Sequence, residues 1–242
     1  RRRGPAPSLS PMNFFGHVAV ARGWSHDSTV LFGAMLPDFV GMVGAASPRV
    51  AHPGIALGLE LHLATDDHFH RSPVFRALTR ESARVLVARG LRRGPALAAG
   101  HVGVELLVDC ALGRDPEVAA DFLAAVTAGA PARLAGAVTW TSPGEEARYA
   151  RLHAQLVERG LAVVDPEPAR ITDRVLRVLA RRPRLAVPEV AREAVTAAFA
   201  SAAGPVAGAV PELLARLREE LSPAFGPAGR AASAASLARG AG

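Results

Sequence analysis

His62 and Asp66 stand four residues apart in the run Leu61-His62-Leu63-Ala64-Thr65-Asp66-Asp67, and the same interval separates His101, Glu105 and Asp109. Four residues is slightly more than one helical turn, so each set falls on a single helix face. Both surrounding runs are largely apolar, and two polar stripes set face to face inside a bundle are how helical proteins assemble imidazole and carboxylate metal sites. Burying carboxylates without a counter-ion costs on the order of several kcal/mol per ion. A divalent cation of the Mn²⁺, Fe²⁺ or Zn²⁺ kind accepts nitrogen and oxygen donors and cancels that repulsion. It also acts as a Lewis acid toward water and toward a phosphoryl oxygen, the two functions a phosphohydrolase needs.

His17, in the first apolar stretch, and Asp38, just after Pro37, extend the set. A lone histidine on an apolar helix is more often a hydrogen-bonded structural residue, and His17 taken alone falls under that reading. A single acid/His pair four apart can likewise be a local hydrogen bond; the recurrence in two apolar helices is what points to a site. Asp67, His68, His70 and His101 are further ligands, groups supporting the ligands, or, at the end of the 54–70 run, an exposed helix end. His26, Asp27 and His52 lie in turn-like sequence and are expected in solvent, and His153 on a charged surface helix.

Nucleophilic chemistry finds little support. Cys110, the single cysteine, is embedded in Val-Asp-Cys-Ala-Leu and reads as a small core residue rather than a thiolate. There is no Gly-x-Ser-x-Gly elbow, and a phosphate-binding Gly-x-x-x-x-Gly-Lys loop is impossible in a chain without lysine.

The elements that must position these residues read as helices throughout. Helices are expected over 12–23, 31–43, 54–70, 73–88, 95–112, 117–128, 145–159, 167–179, 187–202 and 206–221, with Pro37 breaking or kinking the second and a loop over 129–144. The alternation of Ile55, Leu57, Leu59, Leu61 and Leu63 imitates a strand, but the length of the run and its Ala/Leu/Gly content favour a buried helix. A chain of 242 residues that is 50% apolar can fill one sizeable core. The expectation is a single all-α domain over 12–221, with a disordered extension at 1–11 and a flexible Gly/Ala/Ser/Pro/Arg tail at 222–242.

The net charge is +6 and every basic residue is arginine, which attracts an acidic or phosphorylated partner without naming it. Aromatics are only 5%, against the interleaved rings and cations of single-strand binders, so nucleic acid is disfavoured. One cysteine excludes a disulfide framework and suits a reducing cytoplasm. The apolar stretch Met12–Ala21 is short and interrupted by Asn13 and His17, unlike a secretory signal, and Met12 could be the start. No run reaches the ~18 uninterrupted apolar residues of a membrane span.

Met12-Asn13-Phe14-Phe15-Gly16-His17 resembles the Met-Asn-Phe-Leu-Ala-His opening of the acyl carrier protein phosphodiesterases, a divergent branch of the HD-type metal-dependent phosphohydrolases. Gly33-Ala34-Met35-Leu36-Pro37-Asp38-Phe39-Val40 is similar to their Gly-Asn-Leu-x-x-Asp-Phe-Val pattern, and Gly54-Ile55, Leu61-His62, Asp66 and Pro73 to the next block. Glu105 and Asp109 stand in place of an Asp-x-x-x-Asp helix, and Arg181-Arg182-Pro183-Arg184-Leu185 resembles a basic segment near the end. The likeness spans roughly residues 12 to 220 and is most specific in the first 75. Leu63 stands where the family has Arg, His70 where it has a second Asp, and Glu105 for an Asp.

The resemblance implies an HD-like helical bundle, a divalent metal, often Mn²⁺, and cleavage of the phosphodiester joining 4′-phosphopantetheine to a serine of acyl carrier protein. On that reading His17, His62, Asp66 and Asp109 hold the metal, Asp38 or Glu105 accepts a proton, and an arginine among Arg181, Arg182 and Arg184 neutralises phosphate or meets the acidic carrier. The nitrogen-richer set suits Fe²⁺ or Zn²⁺ as well, and a related phosphoester could be the substrate. Two alternatives stand beside it: a zinc-dependent helical hydrolase like bacterial phospholipase C and related nucleases, and a non-enzymatic helical scaffold whose polar stripes are hydrogen-bond networks.

Overall fold

The computed structural model describes residues 14–226, and Met12, Asn13, the 1–11 extension and residues 227–242 lie outside the described residues. The described residues form an all-α structure: α1 Phe14–Ala21, α2 Ser28–Met42, α3 Pro53–Arg71, α4 Pro73–Ala88, α5 Arg93–Leu112, α6 Pro116–Ala128, α7 Pro131–Leu134, α8 Pro143–Arg159, α9 Pro168–Ala180 and α10 Arg192–Phe225. Six of these open on a proline in the first turn, where the missing N–H is not needed and the fixed φ suits a helix. Side-chain caps complete several starts. Asp27 accepts from the Thr29 amide, Asp115 from those of Glu117 and Val118, and Ser142 with Glu145 forms a reciprocal capping box.

α5 is buried almost all round, as a helix apolar on every face must be, and α1, α4, α9 and α10 pack on it. α2 lies against α3 and α6. The α2–α3 contact is unusually close because both helices present glycine there. A Cβ at Gly33 would stand 2.3 Å from the Ile55 carbonyl oxygen, and one at Gly58 2.2 Å from that of Val30.

Three expectations are corrected. Pro37 does not end its helix: α2 runs on to Met42, because Leu36, Asp38 and Phe39 on either side of the proline are buried and tertiary packing outweighs the lost amide. The segments 187–202 and 206–221 become one helix, α10, preceded by a 3₁₀ turn at Glu189–Ala191. Its buried residues Val195, Phe199, Val206, Val210, Leu213, Leu217 and Leu221 keep a three-to-four spacing straight through Pro205 and Pro211, and those prolines face solvent. The same helix carries the expected tail's first residues, Ser222 to Phe225.

The 129–144 loop contains α7 and a two-residue strand, β2 (Val138–Thr139), which pairs antiparallel with β1 (Arg49–Val50). α5 and α10 are both long and apolar enough to cross a membrane by length and composition, although neither has an uninterrupted apolar run. For α5 the core accounts for that apolarity, with 83% of its most apolar window buried; for α10 the figure is 28%.

Candidate metal centre

α3 and α5 deliver the two polar stripes, and α1 and α2 deliver His17 and Asp38. All of Phe14–Ala21 is buried, and so are the residues of 31–39 apart from Pro37, so His17 and Asp38 are polar residues set in an apolar core. Both are 4% exposed, and His62 is 7% exposed. One donor atom from each of these three residues lies within 4.8 Å of the others, a spacing a single cation could bridge.

Their remaining contacts fix how each donor is presented. His62 Nδ1 donates to the carbonyl oxygen of Ala34 at 2.8 Å, so its Nε2 keeps the lone pair. That is the tautomer and the backbone support expected of a ligating histidine. The His17 ring stacks on that of His62 with centroids 4.0 Å apart. His17 Nε2 and Asp38 Oδ2 are 3.7 Å apart, too long for a hydrogen bond. Neither His17 Nδ1 nor Asp38 Oδ2 has a hydrogen-bond partner, although both atoms are buried.

The electrostatics are those of a desolvated site. Burial holds His17 well below its ordinary pKa, with the positive charges of His62 and His70 adding to the effect, and burial likewise lowers His62. Burial pushes Asp38 well above the carboxylate range, and the negative charges of Asp109, Asp66 and Glu105 push the same way. Two buried imidazoles and a buried carboxyl are a donor set whose desolvation cost a dication would offset.

Asp66 and Asp109, expected as ligands, lie outside this group of three, and Asp38, expected to accept a proton, lies within it. Asp109 instead meets the start of α1: its Oδ1 accepts from the Gly16 amide at 3.0 Å, and the amides of Phe15 and Phe14 also point at the carboxylate. Burial nonetheless raises its pKa well above the ordinary value. It serves as an acidic cap on the helix that carries His17.

A second group forms where the two stripes meet again. One donor atom each from His70, His101 and Glu105 lies within 4.8 Å of the others. His101 Nε2 is 3.0 Å from Glu105 Oε1, and His70 Nε2 is 3.8 Å from the same oxygen. Asp66 stands between the groups, one turn from His62 and one from His70, and binds His70 Nε2 at 3.0 Å. Burial would raise Asp66, but that hydrogen bond and the charges of His70, His62 and His101 hold it below the usual carboxylate range. Burial would lower His70, and its bond to Asp66 with the charges of Glu105 and Asp66 raises it instead.

Other expected residues lie elsewhere. Asp67 pairs with Arg71, and His68 with Glu220 of α10 at 2.8 Å. Arg181 caps the C-terminus of α9, and Arg182 and Arg184 follow it in the turn. Leu185 is packed at the start of α5 by Gly94, seven residues and therefore roughly 10 Å along that helix from His101. Asp27 and His52 act as helix caps, and His153, expected at the surface, is partly buried and bonded to the Val126 carbonyl. Cys110 is buried as expected.

Sequence reasoning missed the Ala34 carbonyl and the wall of Phe75, whose ring lies edge-on to both His70 and His101. The signal for the first was the pair of glycines, Gly33 and Gly58, that lets α2 reach α3; an aromatic two residues after Ser72-Pro73 carries no comparable signal. Comparison of the chain with protein-family models, with curated proteins and with solved structures found no match.

Proposed function

We propose that the protein is a metal-dependent phosphohydrolase acting on a phosphodiester, with His17, Asp38 and His62 holding a divalent cation. The observation that carries this reading is the pairing of chemistry and neglect in that group. Two buried donors, His17 Nδ1 and Asp38 Oδ2, have no hydrogen-bond partner, beside a histidine whose other ring nitrogen is fixed by a backbone carbonyl. Buried polar atoms are almost always paired, so a buried carboxylate oxygen left without a hydrogen bond, 3.7 Å from His17 Nε2, calls for a missing partner of opposite charge. Two imidazoles and one carboxylate suit Mn²⁺, Fe²⁺ or Zn²⁺.

Such a cation supplies Lewis acidity toward water and toward the phosphoryl group. The chain supplies position. Ala34 holds the His62 ring in one orientation, and Asp109 anchors the helix start from which His17 projects. Asp66, His70 and His101 are partly exposed, whereas His17 and Asp38 are buried.

The substrate favoured by the motif resemblance is the phosphopantetheine linkage of acyl carrier protein, and an arginine-only basic complement with a net charge of +6 fits an acidic carrier. The test is a hydrolysis screen of the purified protein over bis-p-nitrophenyl phosphate, nucleotides and holo acyl carrier protein, with added Mn²⁺ and with chelator. Chelator-sensitive turnover that is lost in His62→Ala supports the reading. Absence of turnover on every phosphodiester with cation bound removes it and leaves a metal-stabilised binding protein.

A further inference from the structure

We propose that His70, His101 and Glu105 bind a second divalent cation, making the facing stripes of α3 and α5 a two-cation centre. This rests on the reading of His17, Asp38 and His62 as the first site and extends it.

Glu105 is 1% exposed, and its Oε2 has no hydrogen-bond partner. His70 Nδ1 is buried and equally without a partner. The ion pairs already present occupy only the other atoms: Asp66 takes His70 Nε2, and His101 takes Glu105 Oε1. A hydrogen-bond network built only for stability would leave neither orphan, because each costs about 1–3 kcal/mol when buried. The two imidazoles lie nearly parallel, 13° between ring planes and centroids 5.0 Å apart, with the Phe75 edge packed against both. Two imidazoles beside a buried carboxylate are a donor set that suits a divalent cation.

The donor set repeats that of the first site, two imidazoles and one carboxylate, with a difference in exposure. His70 and His101 side chains are each 35% exposed, so this site opens to solvent where the first is closed. Asp66, one turn from a ligand of each site, is the carboxylate available to both. Two dications set against Asp38, Asp66 and Glu105 leave one net positive charge, complementary to the single negative charge of a phosphodiester.

The experiment is a calorimetric titration of the chelator-stripped full chain with Mn²⁺, with electron paramagnetic resonance of the product. The expected result is two ions per chain with spin coupling, falling to one uncoupled ion in His101→Gln and in Glu105→Gln. His101 is partly exposed, so its variant should fold, as circular dichroism would verify. One ion per chain in the wild type, or two retained in both variants, overturns the proposal. Two coupled ions without any phosphodiester turnover would uphold the second site and remove the phosphohydrolase reading. One ion with turnover would do the reverse.

Discussion

The Nδ1 proton of His62 is held by the carbonyl oxygen of Ala34 at 2.8 Å, across the close contact of α2 and α3. That hydrogen bond exists because Gly58 lets the helices meet: a Cβ there would lie 2.2 Å from the Val30 carbonyl and 2.6 Å from the Ala34 nitrogen. Gly58→Ala must therefore push α3 away from α2. The expected outcome is a loss of about 1–3 kcal/mol of stability, the usual range for overpacking, together with weaker cation binding. Urea melts with chelator and Mn²⁺ titration read the two effects separately.

Asp38→Asn should have opposite effects with and without metal. In the wild type the folded pKa lies above the unfolded value of 3.8. The native state therefore binds more protons than the unfolded chain between those two pKa values, and stability falls as pH rises through that window. An amide carries no such penalty. In chelator, Asp38→Asn is expected to melt above the wild type at pH 8, by about 2–4 °C for each kcal/mol of relief, with the gap closing toward pH 4. With Mn²⁺ the order should reverse, because the variant lacks the ligand. Thermal melts over pH 4–8 in both conditions check the sign.

Asp109 tests whether the start of α1 needs its distant cap. Asp109→Ala leaves the buried Gly16 amide without its acceptor, and a cost of about 1–3 kcal/mol is expected. Hydrogen exchange should accelerate first at Phe15 and Gly16, and cation affinity should drop because His17 loses its support.

Burial pushes the Cys110 thiol up to about 12. At pH 8 about one molecule in ten thousand then carries the thiolate, the form that reacts. Dithionitrobenzoate should leave the native protein unmodified over hours and react with one thiol per chain in denaturant. Rapid reaction of the native chain would contradict the packing of α5 on the segment carrying Asp165, whose carbonyl accepts from the thiol.

The all-helical class was legible because apolar spacing and proline starts are local properties, and so were the stripes His62/Asp66 and His101/Glu105/Asp109. How the stripes divide was not. His62 and His70 share one face of α3 eight residues apart, and only the positions of α1, α2 and α5 decide that one joins His17 while the other joins His101. Asp109 illustrates the same limit, since its partner Gly16 is 93 residues away and is a backbone amide, which leaves no trace in residue type. Pro37 and the prolines of α10 misled for the opposite reason. Their local tendency to break a helix is real, but the buried residues flanking them outweigh it.

The central claim is that His17, Asp38 and His62 hold a cation, and the most direct measurement is the melting temperature of the chelator-stripped protein with and without added Mn²⁺ or Zn²⁺. A ligand bound only by the native state raises stability by about 2.7 kcal/mol at a hundred times its dissociation constant. The account predicts a clear upward shift in the wild type that is reduced in His17→Gln and in Asp38→Asn and abolished when either is combined with Glu105→Gln. A wild-type melting curve unmoved by either metal or chelator would contradict it.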